Sequence, residues 1–157
     1  MPRRGFKLLA VLMPASLAVA LAAAPPNFSG AWKANIAKCD FGQMPAPTSA
    51  SSKIDHQDPS LKLVATQVGD QGERTFEMNL STDGAETTNQ VGPLTFKSKA
   101  KWDGAALLVE SKATTDDGDL TITDKWTLSE DGKTLTVTRS FSGPQGEMTI
   151  KVVQEKQ

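Results

Sequence analysis

Few side chains in this 157-residue chain belong to types that carry out chemistry at defined spacings. The single histidine, His56, has no second histidine with which to share a metal, and no serine or cysteine arrangement for nucleophilic catalysis. It reads as a satisfied or pocket-edge histidine. The single cysteine, Cys39, can form no internal disulfide and reads as an inert thiol, an intermolecular link being the alternative. The acidic string Asp116-Asp117-Gly118-Asp119 offers oxygen ligands for calcium, but turn formation alone accounts for it. No phosphate loop or cofactor fingerprint is present, so the expectation is a protein without catalysis, metal or cofactor.

One pair remains. When the strands around Asp131-Gly132 are paired as a hairpin, Asp124 falls opposite Arg139 on an otherwise apolar face, with Ser111 beyond Asp124 and Ser98, Thr87 and Asn89 on the same side. His56 and Gln67 also face that way. An ion pair in an apolar interior is costly unless both charges are paired and hydrogen-bonded. Two readings stay open: Asp124 and Arg139 satisfy each other, or Arg139 orients a carboxylate or carbonyl of a bound molecule.

The elements that must position this pair are short alternating strands. Asp-Gly, a strong hairpin signal, recurs at Asp83-Gly84, Asp103-Gly104, Asp117-Gly118 and Asp131-Gly132. Asp58-Pro59, Gly69 to Gly72, Gly92-Pro93 and Gly143 to Gly146 supply further turns. Strands are expected over 28–34, 52–57, 60–68, 73–82, 85–91, 94–102, 105–115, 119–129, 134–142 and 147–155. A turn with an even number of loop residues hands the same face from one strand to the next, and every turn here can be read as even. On that reading Ala100 opposes Leu107, Ser98 opposes Val109, Ala113 opposes Ile122, Ser111 opposes Asp124, Trp126 opposes Val137, and Phe141 opposes Met148.

The resulting inner face runs from Leu61 and Leu63 through Leu80, Ala100, Leu107 and Leu135 to Ile150 and Val152. The outer face carries Lys97, Lys99 and Lys101, then Thr121, Thr123 and Lys125, then Thr134, Thr136 and Thr138. That exterior suits water; an outer-membrane barrel would put an apolar band and aromatic girdles outside, and the chain has no tyrosine. The expected fold is all-β, an antiparallel up-and-down meander closed into a barrel of 8–10 strands, with a folded-over sandwich as the other way to cover one apolar face. The proline-rich stretch from Cys39 to Ser52 has no helical or strand period and is expected to lie across one end.

Phe28-Ser29-Gly30-Ala31-Trp32 resembles the F-x-G-x-W opening of the calycins, the lipocalins and fatty-acid-binding proteins, and Lys101-Trp102-Asp103-Gly104 resembles hairpins of the latter. The resemblance extends in style over the whole segment 25–157. It implies a barrel that binds a small apolar molecule, and implies no reaction. It also implies an arginine from a late strand covering the opening tryptophan; Arg139 is the arginine placed to cover Trp32. Two features depart from the fatty-acid-binding pattern: the proline-rich loop stands where two short helices are expected, and the closing Arg-x-Tyr is absent from Met148 to Gln157.

Small residues at Ala65, Ser98, Ala100, Ser111 and Ala113 argue for unfilled volume at mid-height. The expected ligand-binding residues are Phe76, Phe96, Val109, Ile122, Trp126, Val137 and Phe141, with Asp124 and Arg139 as the polar groups.

Residues 1–24 read as an export signal: Arg3, Arg4 and Lys7, then an apolar run from Leu8 to Leu21, then Ala22 to Ala24. Pro14 and Ser16 interrupt a run short of the roughly 20 apolar residues that span a bilayer, so stable membrane insertion is not expected. Arg3-Arg4-Gly5-Phe6-Lys7-Leu8 resembles the twin-arginine motif, leaving both that and the general secretory route open. One barrel domain then occupies 25–157. Without Arg3, Arg4 and Lys7 the balance against 18 acidic residues is about −4, and no basic stripe favours nucleic acid. The functional expectation is a periplasmic or secreted monomer that binds or carries a small, largely apolar ligand. The alternative is a filled barrel or sandwich acting through its surface as an interaction or envelope-stress module.

Overall fold

The computed structural model of the chain describes residues 23–157, so the basic start and apolar run of the expected export signal lie outside the described residues. Ten antiparallel strands form one sheet: β1 (Gly30–Ala34), β2 (Ser49–Gln57), β3 (Ser60–Gly69), β4 (Gly72–Ser81), β5 (Thr87–Val91), β6 (Leu94–Asp103), β7 (Ala106–Thr115), β8 (Gly118–Leu128), β9 (Thr134–Gly143) and β10 (Gly146–Lys156). Their order is β4-β3-β2-β1-β10-β9-β8-β7-β6-β5, so β1 and β10 pair and the sheet curls into a nearly closed barrel whose open seam lies between β4 and β5. Among the described residues no helix is long and apolar enough to cross a membrane.

Period-two alternation produces these strands, and the two faces separate as the turn parity requires. Leu61, Ala100, Leu107 and Leu135 are almost fully buried, while Lys97, Lys99, Lys101, Thr123 and Lys125 are exposed. Threonine and lysine rows on the outside fit a pleated, solvated surface.

Four details differ from the sequence expectation. First, Asp83-Gly84 makes no two-residue hairpin, because its flanking strands β4 and β5 do not pair. The Asp83 backbone bridges to Lys101 of β6, and Gly84 N–H donates to Ala100 O (2.8 Å), so a third strand captures the turn. Second, two registers shift by two residues. Ala100 faces Val109 and Ser98 faces Ser111, while Val109 faces Asp124 and Ser111 faces Ile122. The loops centre on Gly104-Ala105 and Asp116-Asp117, one residue away from the expected places, and a shift of two leaves every side chain on its expected face. Third, β2 starts at Ser49, three residues earlier than expected, and a single 3-10 turn (Ile36–Lys38) precedes the loop. Fourth, Phe28 and Ser29 lie ahead of β1.

Phe28 plugs the barrel end marked by the turns at Asp58-Pro59, Gly104-Ala105 and Ser129 to Lys133. It is fully buried, stacked on His56 and Trp102 (ring centroids 5.8 and 5.7 Å) and edge-on to Trp126 (5.6 Å). Around it gather Trp32, Ile54, Leu61, Leu80, Leu107 and Leu135. The apolar core therefore fills one end of the barrel, leaving the other to the loop between β1 and β2.

Candidate functional site

Above this plug the packing opens. A cavity of about 80 Å³ is bounded by Ile54, Leu63, Ala65, Trp126, Leu135 and Val137. A second compartment of about 410 Å³ adjoins it through shared walls at Gln67, Phe76, Arg139 and Val152, and reaches Phe141 and Ile150. Its roof is the loop, through Phe41, Met44, Pro45 and Pro47. A backbone bridge between Asp40 and Lys151 and the bond from Thr48 N–H to Val68 O (2.7 Å) fasten the loop at both ends. The expected position of this loop across one end is the observed one.

Arg139 lies where the two compartments meet. β8 and β9 set it directly across from Asp124, and its Nε and Nη2 donate to Oδ1 and Oδ2 at 2.7 and 2.6 Å. The two parallel bonds are the strong, planar form of a guanidinium–carboxylate pair. The Asp124 side chain is 6% exposed and that of Arg139 is 27% exposed, so the carboxylate is sealed in while part of the arginine side chain borders open space. Burial works against the charge on Arg139, but the Asp124 carboxylate outweighs it and holds the guanidinium above its ordinary pKa.

Trp126 presents the opposite situation. It is 3% exposed, borders the smaller cavity, and its indole N–H has no hydrogen-bond partner. A buried donor left in this state costs about 1–3 kcal/mol. The contrast with Trp32 is direct, since Trp32 Nε1 donates to Phe28 O at 2.9 Å. Nothing in the sequence signalled the lone Trp126 donor, because satisfaction of an indole depends on what the fold brings to it.

The expected ligand-binding residues divide. Phe76, Trp126, Val137 and Arg139 border the smaller cavity, and Phe141 borders the larger. Asp124 stands behind Arg139. Phe96 and Val109 are buried and Ile122 is half-buried, and none of the three borders either compartment. Of the small mid-height residues only Ala65 faces the space; Ser98 and Ser111 hydrogen-bond to each other (2.8 Å) inside β6 and β7. Two further wall residues, Gln154 and Ser52, bond to one another at 2.8 Å and were not singled out from sequence.

The other chemical candidates serve the scaffold. His56 is buried, accepts from Phe28 N–H at Nδ1 (3.2 Å) and therefore donates from Nε2 to Asp58 Oδ1 (2.8 Å). Thr82 Oγ1 donates to the same oxygen (2.7 Å). These contacts hold the Asp58 carboxyl below its usual pKa, the histidine bond acting most strongly and the threonine bond next. Trp32 is covered by Lys156 rather than Arg139: Lys156 Nζ lies 5.5 Å from the ring centroid. Arg139 is held inside by Asp124, whereas Lys156 pairs with Trp32 across the β1–β10 ladder. Asp116 and Asp117 form the β7–β8 turn, and among the described residues no group of three or more His, Cys, Asp or Glu is placed to hold a metal. Cys39 is half-buried, and its sulfur accepts from Val153 N–H at 3.3 Å.

The fold is that of the calycin barrels. A secretory abundant heat soluble (SAHS) protein from Ramazzottius varieornatus aligns with 82% of this chain and 94% of its own, at a TM-score of 0.59 and 16% identity. The zebrafish ileal bile acid-binding protein, complexed with cholic acid, aligns over 83% of this chain and 98% of its own, at 0.58 and 16% identity. No protein-family model and no curated protein sequence matches the chain.

Proposed function

We propose that the protein binds or carries a small, largely apolar molecule inside the barrel, outside the cytoplasm and without catalysing a reaction on it. The observation that carries this reading is the pair of adjoining compartments, apolar on most sides and meeting at Arg139. Such a chamber, with few polar groups among apolar walls, is the common form of a small-molecule site. A barrel of the same fold in complex with cholic acid supports it by analogy of shape. The export element of the proposal rests on the basic and apolar segments at the start of the sequence.

The test is extraction of the purified protein with organic solvent followed by mass spectrometry, and titration of the extracted protein with an environment-sensitive apolar dye. Co-purified lipid or saturable dye uptake is the expected result. Neither lipid nor dye would leave the alternative, a filled barrel that acts through its surface.

A further inference from the structure

The polar groups facing the chamber specify the charge of the guest. We propose that the site takes an electrically neutral, oxygen-bearing amphiphile, an ester, ketone or alcohol with an apolar tail, in preference to a carboxylate. The proposal rests on the ligand-binding reading above and deepens it.

Arg139 does not offer a free positive charge. Asp124 already occupies its Nε–Nη2 edge through two short bonds, and this carboxylate is sealed from solvent. A guest carboxylate at the same guanidinium would place two anions on one cation in a space walled by Leu63, Phe76, Val137 and Val152. Like charges in such surroundings resist sharing a site. The guanidinium nevertheless has five N–H groups, and those not committed to Asp124 can donate to a neutral oxygen. Arg74, the other cation bordering the larger compartment, donates to Gln71 Oε1 at its exposed rim, where solvent screens it.

The second observation is independent of Arg139. Trp126 carries an indole N–H with no partner, it is almost fully buried, and it borders the same cavity as Arg139. An indole N–H only donates, so its missing partner is an acceptor. A volume of about 80 Å³ holds a head group of a few atoms but not a long chain. The apolar tail then lies in the larger compartment, under Phe41, Met44 and Pro45 of the loop and against Phe141 and Ile150. The guest enters polar end first, with its oxygen at Arg139, and a small shift of the indole ring brings the Trp126 N–H, closed off from the cavity as it stands, to the same oxygen.

The delipidated protein, loaded with the apolar dye, is titrated with methyl palmitate, hexadecanol and palmitic acid at a pH where the acid is ionised. The ester and alcohol should displace the dye at concentrations about tenfold or more below the acid, a difference of about 1.4 kcal/mol or more. Trp126→Phe should weaken the ester and alcohol by about tenfold and narrow their lead over the acid. Asp124→Asn should shift the preference toward the acid. Equal or tighter binding of the acid, displacement by none of the three, or an ester affinity unchanged in Trp126→Phe would each overturn the proposal while leaving the binding reading intact. Trp126 would then be satisfied by a trapped water. Failure of the dye itself to bind counts against the binding reading instead.

Discussion

Asn89 bridges the open seam of the barrel by imitating a peptide group. Its side-chain Oδ1 accepts from Asn79 N–H (2.6 Å) and its Nδ2 donates to Asn79 O (3.1 Å), so one amide substitutes for the missing ladder between β4 and β5. Asn89 is 4% exposed, and the same Nδ2 lies 3.5 Å from Ser98 Oγ. Asn89→Ala would leave the Asn79 backbone groups unmatched, at about 1–3 kcal/mol. Denaturant unfolding should show that loss, and amide exchange should speed up in β4 and β5 before it does in β8 and β9. Asn89→Asp, which keeps the acceptor but loses the donor, should also destabilise.

Asp124→Ala strands the Arg139 charge in the interior and should cost about 3–5 kcal/mol in equilibrium unfolding. Combining Asp124→Leu with Arg139→Met removes both charges and should recover most of that stability. The double variant should still lose affinity for an oxygen-bearing guest, because binding and folding use different parts of the guanidinium.

Gly30 adopts a φ of 143°, and a Cβ built there would lie 2.8 Å from Lys156 Cε. The glycine of the F-x-G-x-W opening thus makes room for the lysine that covers Trp32. Gly30→Ala should cost roughly 1–3 kcal/mol and should alter Trp32 fluorescence as Lys156 is displaced. Gly72→Ala, also at positive φ but with open space around it, should leave the tryptophan signal unchanged.

Acid stability should depend on Asp58. Its pKa is lowered in the folded protein, by the His56 bond first and the Thr82 bond second, so the unfolded chain takes up the proton at higher pH than the folded one. The contribution is therefore complete above the ordinary carboxylate value of about 4 and disappears as pH falls through the folded value. The side chain is 44% exposed, which limits the effect to below about 1 kcal/mol. Thermal melts against pH should show a shallower acid decline for Asp58→Asn.

Much of this was legible in the chain because alternation and even turns are local properties. The ten strands, the buried Asp124 and Arg139 facing each other, and the exposed lysines of β6 all followed from parity. The failures share a cause as well. Asp83-Gly84 carries the signature of a chain reversal, but whether the strands on either side pair depends on Lys101, about twenty residues away. Centring a turn one residue off moves the register by two, which no facial pattern can detect. The identity of the cation over Trp32 depends on how far two long side chains reach. Whether the Trp126 N–H finds a partner depends on everything around it.

Because β1 is zipped between β2 and β10, the first strand finds its second neighbour only when the last one has been made. Phe28, immediately ahead of β1, stoppers the chamber from below against His56, Trp102 and Trp126, so the floor is made by β2, β6 and β8 while the join of β1 to β10 waits for the tail of the chain. A protein shortened by its last strand would keep its stopper and gape along its flank, between β1 and β9.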